Sequence, residues 1–167
     1  MSVINTKEDL MKQISGNGMT AVSVAEARGM GGNWNSCGDH VRGFEFHHGE
    51  SLRVPVATEI LLWLKETMLK GKKVYLLHFS AEWTHNGVTE WTWIPVWATR
   101  KRARSSQNDP AFLSGHLYQT LLHASNDLAR VEMLAGKAWK VSQTTVKEKD
   151  DKEKDYELKV WYFDPLA

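Results

Sequence analysis

The sequence predicts an α+β fold: an antiparallel sheet of about five to seven strands, built from hairpins, with two main helices at about 58–70 and 110–135 packed mainly on one face. Three observations carry that expectation. Asn86-Gly87 lies between two β-rich arms, and both residues tolerate the positive φ that a type I′ hairpin turn requires. Asp109-Pro110 opens a run in which Leu113, Leu117, Leu121, Leu128 and Val131 keep helical spacing until Gly136. Trp139 to Lys147 and Tyr156 to Phe163 alternate as a last hairpin, with Tyr156, Leu158, Val160 and Tyr162 on one face.

Taken in order, Thr6 is the expected N-cap of a short helix through Ile14, with Asp9 at its third position and Gly16 as its stop. Thr20 to Ala27 alternates weakly and is read as a strand, although Ala-Glu-Ala-Arg also suits a helix. Gly29 to Gly38 reads as a loop. Val41 to Phe46 and Ser51 to Val56 form a second expected hairpin around His47-His48-Gly49-Glu50. From Thr58 the period changes: Ile60, Leu61, Leu64 and Met68 share a helical stripe that Leu62, Trp63 and Leu69 widen, and Gly71 stands where a helix would stop. The last hairpin's connection at about 147–155 is almost wholly charged and mixed in sign, which predicts a solvated, mobile tip.

The Asn86-Gly87 turn fixes the register of the Val74 to Arg104 hairpin. His85 faces Val88, and alternation puts Trp83/Glu90, Ala81/Thr92, Phe79/Ile94, Leu77/Val96 and Tyr75/Ala98 on a core face. Thr84/Thr89, Glu82/Trp91, Ser80/Trp93, His78/Pro95, Leu76/Trp97 and Val74/Thr99 take the other. Pro95 has no N–H for a ladder, so its strand is expected to be an edge or to carry a bulge. Arg100, Lys101, Arg102 and Arg104 follow at once.

Composition bounds the function. A chain of 167 residues with 25% charged and 42% hydrophobic residues is expected to be one domain, 1–167, with a real core. A net charge of +1 argues against a wholesale polyanion binder, so any nucleic-acid site must be a local patch. The single Cys37 excludes an internal disulfide framework. Met1 to Lys12 lacks the apolar core of a signal sequence, and the expected location is the cytosol, away from the membrane.

Eight tryptophans are the unusual feature. Trp91, Trp93 and Trp97 share a face with His78 and lead into Arg100, Lys101, Arg102 and Arg104. Rings beside cations are what single-stranded DNA or RNA requires, since bases stack on the rings at about 1–3 kcal/mol each while cations hold phosphates. The leading expectation is therefore a non-catalytic binding module with single-stranded nucleic acid as first candidate ligand. The alternative is a protein-binding inhibitor or immunity-type protein docking through an aromatic edge strand, because Trp and Arg are enriched in interface hot spots. Carboxylates crowding the Trp face would favour the protein. Burial of the rings beneath the 110–135 helix would remove both.

Other patterns carry less. Cys37, His40, His47 and His48, with Asp39 adjacent, raise zinc, but the spacing is not that of a standard finger. Gly29-Met30-Gly31-Gly32-Asn33 lacks the Gly-Lys-Ser/Thr of a phosphate loop. His78-Phe79-Ser80 and His123-Ala124-Ser125 resemble the paired His-x-Thr/Ser motifs of the two-histidine phosphoesterases over six residues. That resemblance implies a third reading, a small phosphoesterase or hydrolase in which His78 and His123 are general acid and base. No cofactor and no catalytic constellation are expected.

Overall fold

Among the described residues the helices and strands follow in the order α1 (Lys7–Lys12), β1 (Val22–Ser23), α2 (Val24–Met30), β2 (Ser51–Arg53), β3 (Leu61–Leu69), β4 (Lys72–His85), β5 (Val88–Pro95), α3 (Asp127–Leu134), β6 (Ala138–Lys149) and β7 (Asp155–Pro165). This computed structural model describes residues 3–14, 21–30, 44, 46–69, 71–96, 126–149 and 151–166. The strands form one seven-stranded antiparallel sheet in the order β1-β3-β4-β2-β6-β7, with β5 on the other side of β4. The fold is α+β, as the hairpin signals predict. None of the described helices is long and apolar enough to cross a membrane.

The central hairpin adopts the expected register from His85↔Val88 to His78↔Pro95. Its turn takes positive φ at both Asn86 (50°) and Gly87 (76°). Phe79, Ala81 and Ile94 enter the main core, and among the described residues β5 pairs only with β4. Tyr75, expected on that core face, is exposed, because the far ends of β3 and β4 extend past the core. The last hairpin also forms as expected, with β6 and β7 pairing from Trp139↔Pro165 to Lys149↔Asp155. Its strands run further into the charged segment than expected, leaving a short exposed turn that includes residues 151–154.

The segment 58–70 is the main correction. A single 3-10 turn at Ala57–Glu59 precedes a strand, β3, and Gly71 (φ 77°) serves the tight turn into β4. Both faces of the first half of β3 are covered: Leu62 and Leu64 meet one core, while Leu61 and Trp63 meet a second on the opposite side. An apolar run buried on both faces has no alternation for the sequence to show, and its spacing then imitates a helix.

Other expectations shift as well. Residues 51–53 do not pair with 41–46, because both edges of β2 are already taken, by β4 and by β6. Among the described residues of 20–27, Val22 and Ser23 alone are strand; α2 follows, carrying Gly29 and Met30 out of the expected loop. Its start is a reciprocal capping box, in which Glu26 N–H donates to Ser23 Oγ and Ser23 N–H to Glu26 Oε1. The last helix ends before Gly136 as expected, but it begins at Asp127 after the N-cap Asn126, whose extended backbone (φ −155°) breaks any continuous 110–135 helix. Residues 110–125 lie outside the described residues.

The sheet therefore has two covered faces. α2 and α3 pack on the main core through Ala27, Leu128 and Val131. α1, capped by Thr6 as expected, lies on the opposite face, where its Leu10 and the following Ile14 pack with Trp93.

Candidate functional site

Two surfaces bear on function: the outer face of β2, β4 and β5, and a cleft at the tip of the β4/β5 hairpin. The outer face carries the predicted tryptophans. Trp93 is buried at 6% exposure, with its indole N–H donating to Leu10 O at 3.3 Å. Trp63 lies against it with ring centroids 5.7 Å apart. Trp91 is half-buried, has Lys7 Nζ 5.8 Å from its ring centre, and donates its backbone N–H to Ile4 O at 2.8 Å. The residues before and within α1 thus cover much of the platform that the sequence offers to a ligand.

His78 belongs to the same covered region. It is buried, its ring lies 4.9 Å from that of Trp63, and Nδ1 donates to Leu76 O at 3.0 Å. Burial lowers its pKa from 6.5 to about 4; the Leu76 carbonyl opposes the shift, nearby Lys65 adds to it, and a weaker backbone contact at Trp63 opposes it. Ser80, the partner in the His-x-Ser motif, is buried and its hydroxyl accepts the Leu61 N–H at the start of β3. This ties Ser80 to a strand junction. Trp97, Arg100, Lys101, Arg102, Arg104 and His123 lie outside the described residues.

What the outer face leaves accessible is set by the ladders. Arg53, Glu82 and Trp91 stand abreast on β2, β4 and β5, and Ser51, Thr84 and Thr89 form the next row. Lys140 on β6 extends that second row. Arg53, Lys140 and Thr89 are exposed, and Glu82 is half-buried between Arg53 and Trp91.

The cleft holds about 400 Å³ and is lined by residues 47–50 and 84–87. His85 stacks on Trp83 (3.6 Å, 13°) and meets Glu90 Oε2 through Nε2 at 2.7 Å. A carboxylate accepts, so Nε2 carries a proton and, in the neutral ring, Nδ1 keeps its lone pair. Glu50 is 9% exposed; its Oε1 accepts the His47 N–H at 2.7 Å and closes the 47–50 turn. His48 Nδ1 accepts the Gln143 N–H at 3.1 Å, which makes its Nε2 a donor.

That last bond bears on zinc. A metal-ligating histidine presents a lone pair to the ion and donates its other N–H outward, whereas His48 has the reverse arrangement. Among the described residues no group of three or more His, Cys, Asp or Glu side chains could hold a metal. Cys37, Asp39 and His40 lie outside the described residues.

His85 belongs to no sequence motif. Its signal was the register itself: across a two-residue turn, His85 and Glu90 are diagonal neighbours on one face. Comparison with protein-family models, curated proteins and solved structures finds no match, so the chemistry of these two surfaces rests on their geometry alone.

Proposed function

We propose that the chain is a non-catalytic binding module that docks on a protein partner through the accessible half of its outer sheet face. The observation that carries this reading is the row Arg53-Glu82-Trp91, in which a cation, a carboxylate and an indole stand side by side on three paired strands. Trp and Arg are the residues most enriched in interface hot spots, and a mixed-sign row gives electrostatic selectivity for a complementary protein. Single-stranded nucleic acid, the first candidate from sequence, is less favoured. Its platform would consist of Trp91 alone among the described tryptophans of β5, with Glu82 between that ring and the nearest cation of the row. A hydrolase acting through His78 has no support from a ring so deeply covered.

The test begins with affinity capture by the full chain and by a Trp91→Ala/Arg53→Ala variant of preserved fold. A protein retained only by the unsubstituted chain is purified, and its binding is measured directly. Weakening by about tenfold or more in the variant supports the reading. A mixed-sequence oligonucleotide provides the opposing arm. Salt-sensitive quenching of tryptophan fluorescence that disappears in Trp91→Ala would overturn the protein assignment in favour of nucleic acid.

A further inference from the structure

We infer that the cleft between the 47–50 turn and the Asn86-Gly87 turn binds a guanidinium group, supplied by an arginine side chain. Its volume of about 400 Å³ falls within the ~300–1,000 Å³ typical of small-ligand sites. Glu50 and His85 each lie one residue beyond the Ser51↔Thr84 pair, and both line the cleft. The ligand's chemistry follows from which nitrogens and oxygens these residues leave available.

Glu50 uses one oxygen on the His47 N–H, and the other lies 3.7 Å from His47 Nδ1. His85, held by Glu90 through Nε2, offers Nδ1 as an acceptor. His48 offers the N–H of Nε2. An oxyanion would meet the Glu50 carboxylate, whose side chain is only 11% exposed and is fixed by the turn it closes. A second carboxylate, Glu90, lies behind His85. A metal ion would lose His48, which presents a proton where a lone pair is needed.

A planar cation suits the two acceptors of the cleft, the Glu50 carboxylate and His85 Nδ1. Guanidinium carries five N–H donors and no acceptor, so it can serve a carboxylate oxygen and an imidazole nitrogen together, and it stacks on flat rings such as the His85-Trp83 pair. Partial shielding from water strengthens the attraction to Glu50. That the arginine belongs to a polypeptide rests on the protein-docking reading above; the cleft's preference for guanidinium does not.

The experiment is an NMR titration of the full chain with N-acetyl-arginine amide, and in parallel with the citrulline amide (neutral, nearly the same shape), the lysine amide, inorganic phosphate and zinc. The expected result is saturable shifts at the Gly49 and Gly87 amides and the His85 ring. Arginine should bind about tenfold tighter than citrulline, as expected when a charge-assisted contact is replaced by a neutral one. Glu90→Gln should weaken binding, and it leaves the 47–50 turn with its Glu50 closure. Equal binding of citrulline, a preference for lysine, or shifts produced by phosphate or zinc but not by arginine would overturn the assignment. Absence of any shift would do the same while leaving the Arg53-Glu82-Trp91 face untouched, because that row lies on the other side of the sheet.

Discussion

Trp93 donates its indole N–H to the backbone carbonyl of Leu10, 83 residues earlier, and this bond joins the residues most characteristic of the sheet to the shortest of the three described helices. A six-residue helix has little stability of its own, since nucleation costs more than so few bonds return. α1 is held by what it covers.

Removing that cover should be costly. Leu10 is fully buried, and Leu10→Ala is expected to lose about 2–5 kcal/mol of unfolding free energy in urea. The native tryptophan emission should shift to the red as Trp93 and Trp63 gain water. A change below 1 kcal/mol, with emission unaltered, would mean that α1 is not seated on this cluster.

His78 gives the protein a pH dependence with a defined sign. Its pKa falls from 6.5 to about 4 on folding, so between those values the unfolded chain binds the proton and the folded chain does not. The stabilising contribution is complete above about pH 6.5 and declines as pH falls toward 4, by about 3 kcal/mol at most. Urea midpoints at pH 7 and pH 4.5 should therefore lie closer together for His78→Asn than for the parent. Equal spacing in the two proteins would show that the ring is accessible to water.

The hairpin turn offers a backbone test. A Cβ at Gly87 would meet nothing within 4 Å, so Gly87→Ala can be penalised only through its φ of 76°. The expected cost is about 1–2 kcal/mol, measured by thermal or urea unfolding. A neutral result would place the turn in another conformation.

Strand β3 can be told from a helix by two truncations. Leu62 is fully buried and Met68 is 63% exposed. Leu62→Ala should cost about 2–5 kcal/mol, and Met68→Ala should stay within about 0.5 kcal/mol. Comparable losses at both positions would return Met68 to a buried helical stripe.

Local chemistry made much of this protein legible. Asn86-Gly87 fixed the pairing of β4 with β5, because a two-residue turn leaves one register, and the same register placed Glu82 beside Trp91 and His85 near Glu90. Thr6 capped its helix as its position suggested. The capping box Ser23-Val24-Ala25-Glu26 was equally local, but it was obscured by the weak alternation of the residues around it.

What the tertiary structure decided was coverage. Whether 61–69 is strand or helix depends on the strands beside it, since an apolar run covered on both faces looks the same in either state. Which face of β5 meets water depends on α1 folding back from the start of the chain, and no periodicity within β5 records that contact. The His85 cleft exists because Ser51 to Arg53 pair with both β4 and β6 and carry the 47–50 turn to the hairpin tip. Spacing along the chain sets bond patterns between near neighbours; burial is a property of surfaces brought together from far apart, and that is where this sequence alone stops.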